Sequence, residues 1–274
     1  MPEGHTLHRL ANALDDAFAG RQVAVASPQG RFAEAAALLH GRTVDAASAH
    51  GKHLFVDVDS GLTWHVHLGL IGKFTLTAAS GDPAADLPRG EVRARISDGV
   101  TIGDLRGPAA CEVLTAGEVS DIVGRLGPDP LRADADPEMA WVRIHRSSRP
   151  IAALLMDQAV LSGIGNVYRS EVLFRNRLNP RRPGNRLARR SWLAIWADLT
   201  YLMPIGVRTG SIDTVRPEHE PAAMGREPRQ DDHGGEVYVY RRANQACHVC
   251  GSRIRTAVLD GRNLFWCGNC QRRG

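Results

Sequence analysis

Two C-x-x-C pairs close the sequence, Cys247/Cys250 and Cys267/Cys270, with sixteen residues between them. Each pair can set two thiolates on one side of a tight turn. A hairpin between the pairs then gathers all four as a tetrahedral S4 site. A redox dithiol is the competing use of a C-x-x-C. Two pairs at this spacing in a cytosolic chain read instead as one structural Zn2+ with no ligand position left open. The intervening RIRTAVLDGRNLFW has hairpin patterning and turns at Asp260-Gly261. Arg262 follows the turn at the exposed tip, where its guanidinium can meet a phosphate or simply face water. Cys111 stands apart from the others and reads as a core thiol.

The other end of the chain, MPEGHTLHRL, has two readings. Pro2 and Glu3 suit a first helical turn, and Leu7 and Leu10 follow at helical spacing. Alternatively, removal of Met1 makes Pro2 the first residue, with a secondary amine that no side chain can imitate. A third stretch, SGIGNVYRSEVLF, reads as a turn between two helices, with Gly163 ending the first and Asn166 capping the second. Such a turn is a plain connection, or it is a seat for phosphate at a helix N-terminus.

These groups need elements to position them. Residues 4–19 read as a helix with Leu7, Leu10, Leu14 and Phe18 on one face. Residues 53–58, 62–68, 73–77, 91–97 and 110–115 alternate as strands between Gly, Pro and Asp, a spacing that predicts a β-sandwich or barrel. The Gly/Pro-rich GRLGPDPL (124–131) is a linker. Helical periods follow over 139–147, 150–163, 166–176 and 190–203. A mobile loop is predicted over 206–235, and EVYVYRR (236–242) reads as a strand entering the cysteine segment. The resulting domains are 1–127, 128–235 and 236–274.

Charge is split between the two halves. Residues 1–127 hold 11 Lys+Arg against 15 Asp+Glu, whereas residues 128–274 hold 23 against 15. A basic half suggests a polyanionic partner, or a solvated arginine-rich surface. Lysine occurs only at Lys52 and Lys73, so each retained ammonium hints at a point charge wanted there. The sequence has no apolar run long enough to span a membrane and no basic-then-apolar leader. The expectation is a cytoplasmic, nucleoid-associated monomer.

MPEG at the start, GKHLF around Lys52, SGIGNVYRSE, and GRNLFWCGNCQ at the end occur in one order along the whole chain. Together they resemble the formamidopyrimidine-DNA glycosylase and endonuclease VIII family, and within it the actinobacterial endonuclease VIII-like branch. The resemblance implies an α+β, multidomain fold: an N-terminal β-sandwich flanked by helices, then a helix–two-turn–helix domain ending in a β-hairpin zinc finger. DNA carrying oxidised bases or abasic sites, duplex or single-stranded, would be the partner. Pro2 would be the nucleophile, Glu3 the proton carrier and Lys52 a phosphate contact near the lesion. Asn166 and Arg262 would grip flanking phosphates, and Leu70 would fill the gap left by a flipped base. Arg106 in GDLRGPAACEV matches the arginine that faces the opposite strand in the formamidopyrimidine branch, but no Phe follows it. The loop 206–235 is unlike the oxoguanine-capping version, which points to oxidised pyrimidines. The alternatives are an oxidised-purine glycosylase and a catalytically silent DNA-binding zinc protein.

Overall fold

The computed structural model describes residues 2–230 and 235–272, in two compact units, Met1–Arg125 and Leu126–Gly274. The first unit opens with helix α1 (Gly4–Phe18), which buries Leu7, Leu10, Leu14 and Phe18 along one stripe. Next come β1 (Gln22–Ala26), α2 (Ala33–Leu39), β2 (Arg42–His50), β3 (His53–Val58), β4 (Leu62–His67), β5 (Lys73–Ala78), β6 (Ala94–Ser97), β7 (Thr101–Arg106), β8 (Ala110–Thr115) and α3 (Ala116–Gly124). The strands run in the order β5-β7-β6-β1-β2-β3-β4-β8. β1 makes the corner: Gln22 and Val23 pair with β2, while Ala24, Val25 and Ala26 pair with β6. The two halves on either side of that corner share one core. In it Trp64 of β4 meets Phe74 of β5 with ring centres 5.5 Å apart. This is the sandwich that the alternation predicts. Helix α1 lies on β2 and β3, and the Asp15 carboxylate accepts the Ala47 N–H at 2.8 Å. The Cys111 thiol accepts from the Trp64 indole, and burial pushes its pKa up to about 11.

The second unit comprises α4 (Pro137–His145), α5 (Ile151–Leu154), α6 (Asn166–Arg175), α7 (Arg189–Thr209), α8 (Pro221–Met224) and the hairpin β9 (Ile254–Leu259)/β10 (Arg262–Cys267). One buried cluster runs through it, taking in Tyr168, Trp192, Leu199, Tyr238 and Leu264, so the hairpin packs on the same core as the helices.

Four expectations fail here for identifiable reasons. The helix predicted over 150–163 stops at Leu154. Beyond it, the Asp157 carboxylate takes the Ala159 N–H, and the Ser162 backbone N–H donates to the Pro128 carbonyl. Second, α7 runs through Pro204 to Thr209, because Leu202, Met203 and Gly206 are buried on its inner face; the loop therefore starts later than predicted and contains α8, with 231–234 outside the described residues. Third, residues 236–242 form no strand. Val237, Tyr238, Val239 and Tyr240 are all buried, without alternation. The buried Glu171 carboxylate on α6 accepts the N–H groups of Tyr238 (2.7 Å), Val239 (2.9 Å) and Tyr240 (2.9 Å), together with the Thr214 hydroxyl (2.7 Å). An anion replaces the neighbouring strand. Fourth, Gly165, not Asn166, is the N-cap of α6.

Candidate active site, nucleic-acid interface and metal centre

In the first unit the chain turns directly from Pro2 into α1 through Glu3. Glu3 occupies the N-cap position in an extended conformation (φ −117°, ψ 177°), and its carboxylate makes no cap hydrogen bond. It is nonetheless fully buried. The carboxylate is thus withdrawn from water at a helix N-terminus without serving as the helix cap. His5, two residues on, is held neutral, its pKa lowered to about 4 chiefly by burial. Met1 lies outside the described residues.

Lys52 sits in the two-residue turn between β2 and β3, after Gly51 (φ +59°), where His50 pairs with His53. Around it lies a histidine array that the sequence reading missed. The His53 Nδ1 and His65 Nε2 atoms are 2.8 Å apart, and His65 Nδ1 donates to the Glu112 carboxylate at 2.9 Å. His53 is the neutral ring of this pair, and one proton lies between its Nδ1 and His65 Nε2. Burial, then His65 and His67, drive the His53 pKa down to about 3. His67 is lowered by burial, His65 and the Lys52 ammonium. The signal was present in the sequence as KHLF and WHVH, but only the β3–β4 register brings these rings together.

Leu70 and Ile71 project from the turn after β4, 61% and 81% exposed. Gly69 (φ +68°) and Gly72 make that turn possible: a Cβ on Gly72 would sit 2.3 Å from the Leu68 carbonyl oxygen. The result is a short apolar prong. Arg106 ends β7, and its side chain lies back on the sheet. It pairs with Asp104 at 2.9 Å and donates to the Arg89 carbonyl at 3.2 Å. Arg95 grips the same carboxylate with two nitrogens. Although burial opposes it, these guanidinium groups hold Asp104 below the usual carboxylate range.

In the second unit, Asn166 is the first residue of α6. Its amide donates to the Asn263 carbonyl at 2.9 Å, and its side-chain oxygen accepts from Arg169. Arg169, fully buried, also donates to the Asn263 carbonyl at 3.1 Å. The helix start and the hairpin are thus pinned together beside Arg262, which is exposed just past the Asp260 (φ +48°)–Gly261 (φ +71°) turn. Those two angles, with Leu259 paired to Arg262, make the two-residue hairpin that Asp-Gly predicts. Arg149 reaches Asp260 at 3.6 Å from the helical side.

The four cysteine sulfurs lie within 4.8 Å of one another. The Cys247–Cys270 and Cys250–Cys267 separations are 3.9 and 3.5 Å. A tetrahedron of sulfurs about 2.3 Å from a Zn2+ has edges of about 3.8 Å, so the set fits that ion. The Cys270 N–H points at the Cys267 sulfur, and Gln271 braces the site from the Cys267 N–H (2.8 Å) to the Leu178 carbonyl (2.9 Å). Bound there, zinc would hold the two turns together and do no chemistry.

Residues 1–110 match the formamidopyrimidine-DNA glycosylase N-terminal domain, 126–216 the H2TH domain of the same enzyme, and 244–273 a zinc finger found in FPG and IleRS. The chain is 53% identical over 274 residues to endonuclease 8 1 of Mycobacterium tuberculosis, covering 99% of this chain and all of the relative. It is 34% identical to a probable endonuclease 8 2 of Streptomyces coelicolor, with 99% and 94% covered. The Lactococcus lactis Fpg, solved with DNA containing an abasic site, shares the fold at a TM-score of 0.78 and 18% identity, over 99% of this chain and 100% of that one. The chain belongs to the formamidopyrimidine-DNA glycosylase/endonuclease VIII family, the DNA glycosylase/AP lyases of base-excision repair.

Proposed function

We propose that this enzyme excises oxidised pyrimidines through a covalent intermediate on Pro2, and that Glu3 carries the protons. The observation that supports it is the fully buried Glu3 carboxylate, adjacent to Pro2 at the N-terminus of α1. An α-amino group titrates near ~8, so a useful fraction is neutral and nucleophilic at pH 7. Its nitrogen attacks C1′ of a nucleotide swung out of the stack; the C1′–N bond to the base breaks, and Glu3 protonates the sugar ring oxygen as the ring opens. The resulting iminium cation accepts the electron pair left when C2′ loses a proton. The 3′ phosphate then departs by β-elimination and the 5′ phosphate by δ-elimination. Water hydrolyses the iminium and returns the amine.

Lys52, Asn166 and Arg262 act as phosphate grips, which position the strand without reading it. Leu70 fills the vacated stack. Arg106 faces the opposite strand and must leave Asp104 to do so. We read residues 1–127 as the catalytic module, 128–235 as the DNA-gripping helical module and 236–274 as the zinc finger. The enzyme acts as a monomer at the nucleoid in the cytoplasm.

Borohydride trapping with protein lacking Met1 tests this, on duplex and single strands carrying an oxidised pyrimidine, 8-oxoguanine or an abasic site. An adduct on the pyrimidine substrates, absent in Pro2→Gly, is the expected result. An adduct on 8-oxoguanine alone moves the enzyme to the purine branch. No adduct with DNA binding intact makes it a silent binder.

A further inference from the structure

Several arginines of the second unit have no carboxylate partner among the described residues, and three of them lie together. Arg253, Arg255 and Arg272 make no ion pair among the described residues, unlike Arg132, Arg149, Arg175, Arg189 and Arg226 of the same unit. All three line one groove of about 640 Å³ at the base of the zinc hairpin, with Trp266 and Asn244 in its wall and no Asp or Glu among its lining residues. Uncompensated cations gathered in a concave surface repel one another unless an anion joins them.

The groove is shaped by the metal-binding turns themselves. Ser252 and Arg253 follow the first cysteine pair, and Gly268 and Asn269 lie inside the second. Gly268 lets the Arg255 guanidinium come close to that turn, since a Cβ there would come within 2.6 Å of it. Arg255 and Trp266 are opposite one another in the hairpin register, and Arg181 stands 5.8 Å from the Trp266 ring centre. Arg253 is steadied by donating to the Asn244 carbonyl at 2.8 Å. The groove is also remote from the tip. From Arg262 to Cys267 the strand advances five residues, about 17 Å, so a nucleic acid held at the tip has to extend several nucleotides to reach it.

We propose that this groove is a second nucleic-acid site, which takes a single-stranded stretch with its phosphates on Arg253, Arg255 and Arg272 and a base against Trp266. Cationic grooves with an interleaved aromatic ring hold single strands in this way, because every base has a face to stack. The inference rests on DNA being the partner of this chain, and it places a contact outside the segment that surrounds a lesion.

The test is fluorescence anisotropy of a labelled, undamaged oligothymidylate with the full-length, zinc-loaded protein over a series of salt concentrations. Arg253→Ala/Arg255→Ala/Arg272→Ala should weaken binding about tenfold or more and lower the log–log salt slope by about 2, near 0.7 per lost phosphate contact. Zinc content and thermal unfolding must match those of the parent protein. Gly268→Ala, which displaces Arg255 alone, should reproduce part of the loss, and Trp266→Phe should weaken binding without changing the salt slope. An unchanged affinity and slope in the triple variant would overturn the site. An equal loss on undamaged duplex would overturn its assignment to single strands. Borohydride trapping of the parent protein on an abasic duplex separates the two readings. Trapping without any effect of the groove variants sinks the groove alone. Groove-dependent binding without trapping sinks the Pro2 chemistry and keeps the groove.

Discussion

Two hairpins in this enzyme each carry one cation at a tight turn, and they are built in opposite ways. The β2–β3 hairpin presents Lys52 from the middle of a large antiparallel sheet. Its strands are fixed by apolar burial of Leu54, Val56 and Val58 and by rings kept neutral. The β9–β10 hairpin presents Arg262 from a two-stranded ribbon, and a pair of strands alone is marginal in water. It is fixed at its base by four sulfurs and at its side by polar bonds from Asn166 and Arg169. The same local device can thus be anchored by hydrophobic area or by a few strong polar links. The two anchors fail under different conditions.

The largest separation should come from the metal. Stripping zinc, or Cys267→Ser, should unfold the second hairpin and abolish DNA affinity, because metal affinity is folding free energy in such sites. Far-ultraviolet circular dichroism should still report the sheet of the first unit; simultaneous loss of both would mean that the hairpins are not independently anchored. Next, Glu171→Ala leaves three buried N–H groups facing no acceptor. It should cost roughly 3–5 kcal/mol, read by denaturant unfolding, with the loss confined to the helical and finger unit.

Acid should act on the other hairpin. His53 is neutral when folded, with a pKa near 3, but takes up a proton near 6.5 once unfolded. Its contribution is therefore complete above pH 6.5 and is lost as pH falls toward 3. At about 1.4 kcal/mol per pH unit, roughly 2–3 kcal/mol should be gone by pH 4.5. His50, His65, His67 and Arg125 surround the ring, and none offers it a negative charge. Tm measured from pH 7 to 4 should drop less steeply in His53→Phe; parallel curves would assign the acid sensitivity to other groups. The smallest effect belongs to the tips. Arg262→Ala and Lys52→Ala should each weaken DNA binding about tenfold on every sequence and lower the salt slope by about 1. A loss confined to one base context would contradict a phosphate role.

Legibility in the sequence followed how local each cause was. Asp260-Gly261 announces its turn because two adjacent residues satisfy it, and the cysteine spacing announces a metal because four side chains carry the whole signal. β3, β4 and β8 were legible because they are short β-prone runs between turn residues and pair with hairpin or sheet neighbours. The segment 236–242 was misread because its N–H groups are satisfied from Glu171, nearly seventy residues earlier in the chain. The histidine array escaped because strand register, not spacing, assembles it. Asn166 was placed at the right turn but given the wrong bond: it reaches the hairpin and leaves its own helix to be capped by Gly165.

That bond joins residues 97 apart in the chain. Contacts so distant in sequence form late, after the loop between them has closed. During synthesis, α6 emerges long before Asn263, so Asn166 and the buried Arg169 must wait for a shared acceptor that does not yet exist. A chain that stalls before the hairpin therefore carries a buried Arg169 that lacks the Asn263 carbonyl. The register between α6 and the finger is therefore set only once the last residues of the chain have been made.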